Sequence, residues 1–101
     1  MTGIKIIEFR SMAKGALIGF VKVELPSGMV LADVAIMAAE RGPWASPPAK
    51  PMIGRDGAAM RDAKGKARYA PIVEFRTKEL RDRFSSGVIE ALRASHPGVL
   101  P

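Results

Sequence analysis

Six cations, Lys50, Arg55, Arg61, Lys64, Lys66 and Arg68, stand within 19 residues that hold two anions, Asp56 and Asp62. The local charge is +4, in a chain whose formal net charge is +6. Flanking this stretch are the sole tryptophan, Trp44, and the sole tyrosine, Tyr69. Cations neutralise phosphates, and exposed aromatic faces stack on unpaired bases. Gly54, Gly57 and Gly65 let the backbone come close to a phosphate. The chemistry on offer is therefore recognition of a polyanion, with nucleic acid ahead of an acidic membrane surface or an acidic protein. The rival reading is a solvated basic surface with no ligand. Trp44 is more readily read as a core residue than as a stacking face, Tyr69 equally as either, and Phe75 is a third aromatic candidate. Lys5, Lys14, Lys22 and Lys78 read as solvated surface.

Catalytic and metal chemistry find little support. His96, the one histidine, falls at the end of a helical pattern, where a cation complements the helix dipole. A zinc site needs several His or Cys ligands, and the chain has no cysteine. Gly65-Lys66 lacks the rest of a phosphate-binding loop, because Met60 and Ala67 stand where that pattern needs Gly and Ser or Thr. Asp56 and Asp62 read as turn residues, since Arg55 and Arg61 would compete with any cation. The expectation is a non-catalytic protein without metal or cofactor.

Five of the eight prolines, Pro43, Pro47, Pro48, Pro51 and Pro71, fall in the 42–76 stretch. They predict an extended, stiff segment that cannot sustain a regular ladder. Residues 53–67 then read as a flexible glycine-rich loop, and Arg68 to Phe75 as a returning strand at a sheet edge. Upstream, Ile4 to Phe9 reads as an edge strand and Ser11 to Gly15 as a polar connection. Ala16 to Leu25 is the best strand, with Leu17, Gly19, Val21, Val23 and Leu25 on one face. Pro26-Ser27-Gly28 is a turn. Met29 to Met37 is predicted to return antiparallel, with Val30, Ala32, Val34 and Ile36 on one face, against a helical rival suggested by its alanines. Thr77 caps a helix over 78–95, whose apolar stripe is Leu80, Phe84, Val88 and Leu92. Pro97 and Gly98 end it.

The fold expected is α+β: a small antiparallel sheet spanning 4–75 with one C-terminal amphipathic helix packed on it. At 101 residues the chain is one domain. Apolar residues make up 48% and charged residues 26%, which favours a folded core over disorder. The absence of cysteine suggests the cytoplasm, and Met1 to Arg10 shows no leader pattern.

The order of short motifs resembles the SpoVG septation-regulator family. These are Val23-Glu24-Leu25, a turn, Val30-Leu31-Ala32-Asp33-Val34-Ala35-Ile36, Pro48-Ala49-Lys50, Asp56-Gly57, Arg61-Asp62, then a strand and a terminal helix. The resemblance covers roughly Gly15 to Leu92. It implies a homodimer with an antiparallel sheet, and DNA or RNA binding with modest sequence preference. Of the family's basic residues after its Pro-Ser motif, only Lys50 carries over by position. Pro51 stands where a second often occurs, and Ala58 to Ala67 has no family counterpart. The expected function is a homodimeric nucleic-acid-binding regulator, single strands slightly favoured. Its contacts would come from Trp44, Lys50, Arg55, Arg61, Lys64, Lys66, Arg68 and Tyr69. The alternative is a protein-interaction or scaffold module whose basic loop docks an acidic partner.

Overall fold

The computed structural model describes residues 3–58, 60–65 and 68–100. Its centre is the strand with the cleanest alternation, β2 (Leu17–Glu24), which buries Val21 and Val23 on one face. β1 (Lys5–Lys14) pairs antiparallel with it on one side and β3 (Val30–Met37) on the other. A short strand β4 (Trp44–Ser46) pairs with β3, giving a four-stranded sheet in the order β1-β2-β3-β4. The helix α1 (Lys78–Ser95) lays Phe84, Val88, Ile89 and Leu92 on the same face as Val21, Val23, Leu31, Val34, Ile36 and Ala45. Removing each of the large aliphatic side chains from water is worth about 1.5–3 kcal/mol, so this layer fixes the architecture. The fold is α+β, a four-stranded antiparallel sheet carrying a single C-terminal helix. No helix among the described residues is long and apolar enough to cross a membrane.

The helix boundaries follow local chemistry. The Thr77 hydroxyl oxygen accepts from the Leu80 N–H at 3.2 Å, and Glu79 sits in the positive first turn. The His96 N–H donates back to the Leu92 carbonyl before Pro97 and Gly98. Leu80, expected on the buried stripe, is instead 44% exposed. The packed part of the helix begins one turn later, at Phe84, which meets Phe75 with ring centroids 5.1 Å apart.

The strands depart from simple alternation where the ladder carries extra residues. β1 does not stop at Arg10. It continues through the expected polar connection to Lys14, with register shifts at Ile6/Glu8 and Ser11/Lys14. A strand whose outer edge faces water needs no apolar alternation, and bulges absorb the misfit. In β3, Val34 pairs with Val21 but Leu31 pairs with Val23, so two residues, Ala32 and Asp33, sit across from Lys22. Asp33 takes φ 57°, a left-handed conformation that Asp tolerates better than most residues. The bulge turns Leu31 to the core and leaves Val30 and Ala32 exposed, contrary to the period-two reading.

The expected single sheet over 4–75 is in fact two. Pro47 and Pro48 interrupt pairing after β4, and β5 (Ala49–Pro51) pairs only with β6 (Tyr69–Pro71) in a separate hairpin. The returning strand is shorter than 68–75, because the chain bends after Pro71. The Pro48 carbonyl accepts from both Ile72 and Val73 N–H groups, at 2.9 and 3.4 Å, and so anchors the hairpin at its root.

Candidate nucleic-acid interface

The hairpin extends into an arm that is ordered by backbone bonds, in contrast to the flexible loop expected over 53–67. Met52 donates to Arg68, Met60 donates to Met52, and Arg68 donates to Met60. Two tight turns complete it. In the first, the Asp56 carboxylate accepts from the Ala58 N–H at 3.1 Å, while Gly57 N–H reaches the Gly54 carbonyl. In the second, the Asp62 carboxylate accepts from the Lys64 N–H at 2.9 Å. There the Arg61 guanidinium donates to the Gly65 carbonyl at 2.8 Å. Both aspartates therefore serve as turn residues.

Arg55, Arg61, Lys64 and Arg68 are exposed on this arm, as is Lys50 in β5. The ion pairs of the described residues join Arg10 to Glu8 and Asp33, Lys78 to Asp82, and Arg83 to Glu79, and none engages these five cations. Lys66 lies outside the described residues.

Both expected aromatics are exposed, Trp44 by 44% and Tyr69 by 60%. Trp44 begins edge strand β4, opposite Met37, so the core placement favoured for it does not hold. Trp44 and Tyr69 line one open groove of about 1090 Å³ between β4, the β5–β6 hairpin and the first half of α1. Phe75 also lines it but is half-buried against Phe84, which leaves its ring less available for stacking.

The groove floor is held by one cross-link. The Ala45 N–H points away from β3 and donates to the Ser85 hydroxyl oxygen at 2.8 Å. A helix side chain thereby satisfies a donor that an edge strand would otherwise leave open.

Tyr69 and the cations share one arm, while Trp44 stands on β4 across the groove. Tyr69 lies on the side of Ala49 and Pro71, which line the groove. Lys50, one residue along β5 and paired with Ala70, points to the opposite side. None of Lys50, Arg55, Arg61, Lys64 and Arg68 lines the groove. Its charged lining is mixed: Glu40, Glu74 and Asp82 against Arg41 and Arg81. Asp82 is committed to Lys78, whose ammonium lies 2.8 Å away. That hydrogen bond, with Lys78 and Arg81 charge beside it, holds the Asp82 carboxyl below its ordinary value. Sequence reasoning missed these groove residues because they come from three separate segments with no shared spacing.

No family model, curated protein or solved structure matches this chain. The site is accordingly read from its own chemistry. His96, the one candidate base, caps α1, with its Nδ1 2.9 Å from the Ser95 hydroxyl and its ring 5.6 Å from that of Phe9. Among the described residues no three His, Cys, Asp or Glu side chains gather to hold a metal ion.

Proposed function

We propose that this protein is a non-catalytic regulator that binds single-stranded nucleic acid, of the kind the septation-regulator resemblance implies. The observation that carries this reading is the exposure of Trp44 and Tyr69 on one groove, beside an arm bearing exposed cations. Bases enter the groove and stack on the two rings, each stacked base contributing about 1–3 kcal/mol. Phosphates follow the outer side of the arm, against Lys50, Arg55, Arg61, Lys64 and Arg68. No described helix carries a basic stripe suited to a major groove, which favours an unpaired strand.

The protein acts in the cytoplasm as a homodimer. Support for self-association comes from β1, whose ten residues pair with β2 on one side only. An uncovered edge of that length can accept a further strand. Light scattering in solution tests the dimer.

The binding test is a titration of Trp44 fluorescence with short single-stranded oligonucleotides at several salt concentrations. Quenching is expected, with a log–log salt slope of about −3.5 to −4.5 if five phosphates are neutralised. Quenching by an acidic polypeptide but not by oligonucleotides, or an affinity indifferent to salt, overturns the proposal.

A further inference from the structure

The mixed charge of the groove is unexpected for a surface that meets a polyanion. Glu40 and Glu74 line it without an ion pair or side-chain hydrogen bond among the described residues. A carboxylate set against a phosphate track opposes binding, so the groove is suited to the uncharged part of a nucleotide. A carboxylate accepts hydrogen bonds and donates none. A base wedged between aromatic faces must therefore offer donors along its edge.

Of the two carboxylates, Glu74 is the better placed. Val73 and Phe75 on either side of it are half-buried against the core. The Val73 N–H is bound to the Pro48 carbonyl at the root of the hairpin. Its backbone is thus fixed relative to both Tyr69 and the sheet. Glu40 is exposed like Glu74 but sits in the turn closed by Gly42 N–H on the Ala39 carbonyl, with no such packed neighbours on both sides.

We infer that Glu74 gives the groove a preference for guanine in a single strand, an assignment that rests on the reading proposed above. Guanine alone among the common bases presents two adjacent donors, N1–H and the N2 amino group, which match the two oxygens of one carboxylate. Cytosine and adenine offer an exocyclic amino group beside an acceptor nitrogen. Thymine and uracil offer one N–H between two carbonyls, which a carboxylate repels. The discrimination comes from a bidentate contact with the Glu74 carboxylate in the groove, while Trp44 and Tyr69 supply stacking that any base can use.

The test compares Trp44 quenching by octamers of thymidine with octamers carrying two central guanines, or inosines at the same positions. Inosine keeps N1–H and lacks the N2 amino group. Guanine is expected to bind about 5- to 150-fold tighter than thymidine, the range of a good bidentate base contact, with inosine in between. Glu74→Gln should collapse the guanine-to-inosine ratio towards one. Taking a ratio within each protein cancels the general gain in affinity from deleting a negative charge. Equal binding of all three octamers, or a ratio unaltered in Glu74→Gln, overturns the guanine assignment and leaves single-strand binding standing. Absence of quenching by every octamer removes both.

Discussion

The backbone N–H of Ala45 and the hydroxyl of Ser85 meet at 2.8 Å, so the outermost strand of the sheet is tied to the helix by one side chain. Ala45 is itself 1% exposed, which leaves its amide little access to water. Ser85→Ala deletes the acceptor and strands a half-buried donor. Stability should fall by about 1–3 kcal/mol, read as a lower midpoint in urea at unchanged slope. Because Ser85 also lines the groove, oligonucleotide affinity should fall in the same variant.

Gly19 of β2 leaves no room for a side chain against β1. A Cβ there would stand 2.3 Å from the Arg10 carbonyl oxygen and 3.0 Å from the Phe9 ring. The first contact is with backbone, which cannot swing aside. Gly19→Ala should therefore destabilise by about 1–3 kcal/mol, the usual range for overpacking. Thermal unfolding followed by far-UV circular dichroism measures it.

Trp44→Ala and Tyr69→Ala separate binding from folding. Both rings are substantially exposed, so each variant should keep a midpoint close to that of the parent. Each should lose about 1–3 kcal/mol of single-strand affinity, measured by fluorescence anisotropy of a labelled oligonucleotide. A stability loss with affinity intact would show the rings to be packing elements.

The arm cations should act additively and without regard to base sequence. Replacing Arg55, Lys64 or Arg68 singly with Gln is expected to flatten the salt slope by about 0.7–0.9 per charge. Arg61→Gln should do this and also loosen the second turn, since its guanidinium holds the Gly65 carbonyl. Hydrogen exchange of the Gly65 amide, bound to the Asp62 carbonyl, reports that loosening.

Asp82 supplies a pH-dependent contribution of known sign. Its carboxyl is held below the ordinary value, chiefly by the hydrogen bond from Lys78. The associated stabilisation is complete above the unfolded value of about 3.9 and disappears as pH falls through the lower folded value. Lys78→Met should raise the Asp82 titration midpoint, followed by the carboxyl carbon chemical shift in NMR. A midpoint that stays low would assign the shift to Arg81 instead.

The elements that pack on one continuous apolar layer were legible in the sequence, for a physical reason. Val21 and Val23 alternate, Phe84, Val88 and Leu92 recur every helical turn, and Thr77 caps the helix as its hydroxyl predicts. What escaped detection depended on pairing across strands. The Asp33 bulge that brings Leu31 inward exists only once β3 lies against β2, and no local pattern marks it. The arm was read as flexible because its glycines stand out while its ladder, built between Met52, Met60 and Arg68, is made by backbone atoms. At the candidate site the cationic residues and the two aromatics were legible by type. That Tyr69 and Lys50 take opposite sides of the hairpin, and that carboxylates line the groove with the two rings, were not, since these follow from the Lys50–Ala70 register and from distant segments folding together.

The double acceptance at the Pro48 carbonyl makes the arm a detachable module. Beyond that oxygen, Met52, Met60 and Arg68 bond to one another through their backbones, while on the other side Ala45 is tied to the helix. A fluorophore or affinity handle spliced in at Gly57, in the first turn and with open space around it, would ride on the arm without troubling the platform. The same arrangement lets reach be lengthened or trimmed independently of the body that carries it.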